Sequence, residues 1–177
     1  MKKILTLIAV ITVANSAYAA SGFQAALTPD IAIVDRGATV KGVALNIWGE
    51  NQVNGLDLGF VNGLNGQSTG LSWSFLGSYA EDYKGVLLGG FFVRSTGEVT
   101  GWQDGAINIS TGNIHGLQSG LVNIAKDVKG VQLGFLNYTE QLQGVQIGLL
   151  NVVTQNEWFT ELPEDLAKGF PFVNWSF

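Results

Sequence analysis

No cysteine occurs in the 177 residues, which excludes disulfide staples, thiolate nucleophiles and cysteine zinc ligands together. Histidine occurs once, at His115, so a multi-histidine metal centre is excluded as well. Only three prolines accompany 24 glycines, and the glycines do not fall at every third place, which rules out a collagen helix. Charged residues make up 13% of the chain and form no run of one sign, so no disordered charged tail is expected. Beyond the first twenty residues no apolar stretch approaches the length of a membrane-spanning helix.

What is present begins with an export signal. Lys2 and Lys3 precede an apolar run from Ile4 to Val13, and Ala17-Tyr18-Ala19 offers small residues for a signal peptidase. Residues 1–19 are therefore expected to be removed, leaving a mature chain from Ala20 with no cysteine for a lipid anchor. Loss of Lys2 and Lys3 from the nine basic residues leaves seven against 14 acidic ones, a formal charge of −7. Nucleic acid is a poor partner for such a chain, since phosphate binding needs a basic surface.

The body of the chain repeats. From Gly42 to Asn151 a unit G-φ-x-φ-G-φ-φ-N, with φ apolar, returns at Gly42, Gly55, Gly70, Gly85, Gly101, Gly116, Gly130 and Gly144. The steps are 13, 15, 15, 16, 15, 14 and 14 residues. Its clearest copies open at Gly116, Gly130 and Gly144 and close at Asn123, Asn137 and Asn151. Aligned on the first glycine, the first and third places after it are mainly apolar, and the second settles on Gln103, Gln118, Gln132 and Gln146. Such alternation predicts strand, and a unit this short has no room for a helix. Places five and six are both apolar, which suits a corner. Place seven holds Asn62, Asn108, Asn123, Asn137 and Asn151, with Gly49, Gly77 and Phe92 in the other copies.

Two all-β architectures compete for this pattern. In a β-solenoid of about eight coils, equivalent residues stack at about 4.8 Å and the asparagines form a hydrogen-bonded ladder. In a small up-and-down outer-membrane β-barrel each unit is one strand and neighbours are inverted, so no ladder forms. Eight is a permitted strand number, and the chain ends in Val173, Trp175 and Phe177 on one strand face. The near-uniform steps and the asparagine column favour the solenoid.

The expected organisation is a signal peptide at 1–19, a capping segment at 20–39, the array at 40–153 and a C-terminal cap at 154–177. Ile31 to Val34 reads as a capping strand. Pro163, the acids around it and Gly169 predict one short helix. Phe172-Val173-Asn174 echoes Phe60-Val61-Asn62 and reads as a ninth, truncated copy. Gly89-Gly90 adds a residue, read as a bulge.

Candidates for chemistry are few. His115 falls in a polar column with Lys41, Asn54, Thr69, Lys84, Thr100, Lys129 and Gln143, and reads as a solvated turn residue. No serine lies in a nucleophile elbow. Asp57, Asp104 and Glu81-Asp82 do not recur at one place, so a glycosidase pair is not expected. The glutamines read as an amide ladder on the outer strand face. That surface could contact a glycan or a protein through Gln103, Gln118, Gln132 and Gln146, beside Trp48, Trp73 and Trp102; Trp73 and Trp102 stand in columns expected to be core.

The units at Gly130 and Gly144 resemble a family of bacterial surface-repeat proteins with short tandem G-x-Q-x-G-x-x-N units. The ending Pro171-Phe-Val-Asn-Trp-Ser-Phe177 is similar to the close of such chains. The likeness covers roughly 40–177 and is specific from Gly101; earlier copies carry Ala44, Asp57, Ser72 and Leu87 in place of glutamine. It implies export, a cell-surface or outer-membrane setting and no assigned activity. The expected function is thus a non-enzymatic envelope protein, needing no cofactor or metal, that meets an unidentified protein, glycan or outer-membrane partner. A membrane barrel is the second expectation, and a secreted polysaccharide-active enzyme the third.

Overall fold

The computed structural model describes residues 20–155 and 168–177, and within them the chain is a β-solenoid. The strands are β1 (Ser21–Thr28), β2 (Ile31–Ala32), β3 (Thr39–Gly89), β4 (Phe92–Ser95), β5 (Val99–Asp104), β6 (Ile107–Val153) and β7 (Gly169–Ser176). β3 and β6 are long because the chain stays extended around several successive corners. Pairing between coils is parallel: Gly85 lies against Gly101 and Gly101 against Gly116, with Tyr83, Val99 and Ile114 aligned beside them. Parallel stacking of equivalent residues is the solenoid arrangement; an up-and-down barrel requires antiparallel neighbours.

Each coil is flattened into two strand segments joined by two corners. Four places per coil regularly point side chains inward, and place four, mostly glycine, adds the buried Ser74. Two places before the glycine stand Val40, Val53, Val99, Ile114 and Val128, all buried. Place two holds the glutamines, place seven the asparagines, and place nine small or branched residues such as Leu64, Ser110, Ala125, Thr139 and Val153. Buried apolar and buried amide columns therefore run side by side along one narrow core.

Both ends are closed by antiparallel strands, which remove the open edges that a parallel stack would otherwise present. The first coil begins earlier than the sequence suggested. Gly22 lies beneath Gly42, and Gln24 aligns with Ala44, so the segment at 20–39 contains a full copy of the first strand. It escaped notice because Ala26 and Pro29 stand where the second glycine and the asparagine would be. β2 then folds back on β1, with Ala26 opposite Ala32. Gln24 accepts from Val34 N (2.8 Å) and donates to Asn51 Oδ1 (2.9 Å), which seals that end of the core.

At the other end β7 runs antiparallel to β6, with Asn174 opposite Gln146. It is a lid on the last coil, so Phe172-Val173-Asn174 is not a ninth copy in the same sense. The expected short helix falls mostly on residues outside those described; Gly169, placed just past its end, opens β7. The extra residue at Gly89-Gly90 has a local effect. β4 starts one place late, Phe92 turns outward, and Val93 aligns with Ser78 below and Asn108 above. Ser78 and Val93, rather than Gly77 and Phe92, thus stand in the asparagine column.

Candidate functional site

The asparagine ladder is present. Asn108 Nδ2 donates to Asn123 Oδ1 (2.8 Å), Asn123 to Asn137 (2.8 Å) and Asn137 to Asn151 (2.7 Å), all buried. Each amide also donates to backbone, as Asn123 does to Leu133 O and Asn137 to Ile147 O. Asn62 belongs to the same column but donates to Ser72 Oγ and Trp73 O.

The glutamines form a second ladder, and its position corrects the expectation of an outer face. Gln103, Gln118, Gln132 and Gln146 are each 0% exposed. Gln118 donates to Gln103 (3.1 Å), Gln132 to Gln118 (2.7 Å) and Gln146 to Gln132 (2.7 Å). They cannot serve as a surface contact. The reason is that period-two alternation leaves open which set faces inward, and the two assignments differ by one step of register. Here the amides went in and the apolar columns out.

The two ladders have opposite polarity. Glutamine amides donate toward the preceding coil, asparagine amides toward the following one. Their ends agree with this: Gln103 Nε2, Asn108 Oδ1 and Gln146 Oε1 are buried without a partner. Below Gln103 stands Leu87, and below Asn108 stands Val93, neither of which can continue a ladder.

In the earlier coils Asp57 takes the glutamine place and is buried. It accepts from Asn46 Nδ2 (2.7 Å) and Ser72 Oγ (3.3 Å). Burial pushes its carboxyl from 3.8 up to about 7, against the opposing pull of Ser72 and Asn46. The buried phenol of Tyr83 is likewise raised, first by burial and then by the Asp57 charge. Because the folded pKa of Asp57 exceeds the unfolded one, its stabilising contribution is complete below about pH 3.8. It is lost as pH rises through about 7. Asp57→Asn is therefore expected to melt later than the parent at pH 8, by up to about 4 kcal/mol, and to match it near pH 4. Equal differences between the two proteins at both pH values would refute this reading.

The other sequence candidates lie apart. Asp57 and Asp104 are three coils apart, roughly 14 Å along the axis, beyond the spacing of a glycosidase pair. Asp104 accepts from Ser119 Oγ on the outside, and Ser119 accepts from Trp102 Nε1 (2.8 Å). His115 Nδ1 lies 3.4 Å from Glu98 on the polar side. Among the described residues no three acids or histidines gather as a metal site.

What the sequence reading missed is the surface. Trp73 and Trp102, expected in the core, are 48% and 39% exposed. Along the corner at places five and six run Ile47-Trp48, Phe60-Val61, Phe75-Leu76, Leu121-Val122, Phe135-Leu136 and Leu149-Leu150. Leu121 is 64% and Phe135 57% exposed. Phe60, Phe75 and Phe91 run along this corner with ring centres 5.2 and 6.4 Å apart, the first pair tilted and the second edge-on. An open apolar depression of about 480 Å³ lies on the same surface between Leu27, Leu45, Phe60, Trp73 and Phe75. Across places one, three, five and six of all the coils the single charged residue is Asp104. The opposite corner carries Lys126, Asp127, Glu81, Asp82, Glu140 and Gln141. The solenoid is thus amphipathic across its width, with one apolar edge and one polar edge. Compared with protein-family models, curated proteins and solved structures, the chain matches none.

Proposed function

We propose that this chain is a non-enzymatic, exported envelope protein with a structural or binding role at the bacterial cell surface, and that its apolar edge is the working surface. The observation that carries the reading is the long, almost uncharged edge on a chain whose repeated glutamine and asparagine columns are committed to internal ladders. Buried amides that satisfy one another support a structural role for the interior. The separation of Asp57 from Asp104 and the position of His115 on the polar side supply no catalytic grouping. The N-terminal signal and the likeness to surface-repeat proteins support export.

The test is fractionation of a bacterium that makes the full chain. The expected result is a product starting at Ala20 that sediments with the envelope. It should show no mobility shift between unboiled and boiled samples, since a parallel solenoid is not a closed barrel. An intact chain in the cytosol would overturn the proposal, as would a heat-modifiable band.

A further inference from the structure

We infer that the apolar edge inserts into one leaflet of a phospholipid bilayer, so that the solenoid lies along the membrane plane with its polar corner in water. This rests on the proposed envelope setting and names the partner of that surface. Three features of the edge select hydrocarbon over a protein partner.

The first is shape. The apolar columns do not form one flat face but continue round a corner, from places one, three and five on one sheet to places six and eight on the other. In the last four coils Ile109, Ile124, Tyr138 and Val152 extend the second side, whereas the same column carries Glu50, Tyr79 and Arg94 in earlier coils. A second copy of the chain laid against one sheet leaves the other uncovered. The strip it would cover is about 40 Å long and 13 Å wide, on the order of 500 Å² per copy, below the roughly 800 Å² per partner of a standard interface. A fluid phase covers both sides of a convex edge at once.

The second is depth. From place one to place five the chain advances four residues, roughly 13 Å in a strand, close to half of a bilayer's hydrocarbon core of about 30 Å. The edge is deep enough for one leaflet and too shallow for two. Beyond it, both sheets turn polar: at Lys41, Thr69, Lys84, Thr100 and Lys129 on one side, and at Gln52, Thr111, Lys126 and Glu140 on the other.

The third is charge. The column directly above place one holds Lys41, Asn54, Thr69, Lys84, Thr100, His115, Lys129 and Gln143, and so contains no acid although the chain is acidic overall. Its three lysines are exposed and stand three coils apart, where headgroup phosphates would lie. Trp102, at the margin of the edge, donates its indole N–H to Ser119 while its ring stays exposed; Trp48, on the corner, donates to Tyr79. The disposition of Trp102 is that of aromatic residues at a membrane interface.

The experiment uses the mature chain with vesicles of phosphatidylethanolamine and phosphatidylglycerol. Because the chain has no cysteine, single environment-sensitive labels can be placed at Leu121→Cys on the edge and at Gln141→Cys on the polar corner. The expected result is co-flotation, a blue shift and protection from aqueous quencher at 121, and neither change at 141. Phe135→Glu should keep the parent's melting temperature, since the side chain is outside, and lower the partition coefficient roughly a hundredfold. Lys84→Gln with Lys129→Gln should weaken binding only when phosphatidylglycerol is present.

Failure to float would overturn the inference, as would equal flotation of Phe135→Glu. Protection at 121 without lipid, rising with protein concentration alongside a doubled mass, would assign the edge to a second copy instead. Envelope sedimentation with no vesicle binding would sink the leaflet assignment alone, whereas a cytosolic chain would sink the envelope reading itself.

Discussion

Gly130→Ala is expected to abolish the cooperative fold, at a cost upward of about 4 kcal/mol. Gly130 has φ +140°, a region that side chains rarely enter, and an added Cβ would point straight at the carbonyl oxygen of Gly116 in the coil below. That neighbour is backbone, so it has no rotamer through which to yield. Relief requires moving two coils apart, which stretches the parallel ladder and both amide ladders at once. Gly22 supplies the internal control. It heads the same column but has no coil beneath it, and its Cβ would approach nothing closer than Lys41 O at 3.9 Å. Gly22→Ala should therefore stay within about 1 kcal/mol of the parent. Thermal melts followed by circular dichroism decide the matter, and a Gly130→Ala melt within a few degrees of Gly22→Ala would refute the account.

The second large effect is expected at Asn137. Its amide makes three hydrogen bonds, two of them ladder rungs: Asn123 donates to its Oδ1, and its Nδ2 serves both Ile147 O and Asn151 Oδ1. Asn137→Ala deprives Asn123 of one acceptor and leaves Asn151 Oδ1 without the ladder donor, and both of these residues are fully buried. The cost should be about 2–4 kcal/mol, each orphaned buried group contributing about 1–3. Since Asn123 shares a bond with Asn137, the double variant Asn123→Ala/Asn137→Ala should cost less than the sum of the singles. Additive losses in chemical denaturation would mean that the two amides do not act through one ladder.

These two positions also show how far the sequence could be read. The glycine and asparagine columns were legible because each keeps a single residue type, and identity over several copies has a physical cause when equivalent residues touch. The same argument applies to Gln103, Gln118, Gln132 and Gln146, yet polarity placed them outside. The better signal was the contrast between columns. The amide columns hold one residue type because each amide must meet its equivalent in the next coil, whereas apolar columns vary whether they lie inside, as Val40, Tyr83 and Ile114 do, or outside, as Leu45, Trp73 and Leu133 do. Reading hydrophobic as buried inverted the coil: the expected contact residues Gln103, Gln118, Gln132 and Gln146 lie in the core, and the columns holding Trp73 and Trp102, expected as core, lie on the exposed apolar edge. The first coil at Gly22 was hidden for another reason. It keeps only the glycine and glutamine of the motif, and its other interior contacts come from the fold-back at Val34 and from Asn51, which no local pattern encodes.

The opposed polarity of the two ladders has a consequence for how such a chain can change. A coil bearing Gly, Gln and Asn receives from one neighbour what it gives to the other, so its demands are met within any run of its own kind. Duplicating residues 130–143 would add one such coil without altering any existing rung, and both end closures would fit as before. The amide dipoles of the new coil would oppose one another, adding no net field along the axis. Length thus becomes a quantity that can be adjusted in steps of about 4.8 Å, with the mismatched ends confined to Leu87, Val93 and Asn174. Gain or loss of whole units would tune the reach of the apolar edge while the cross-section stays constant.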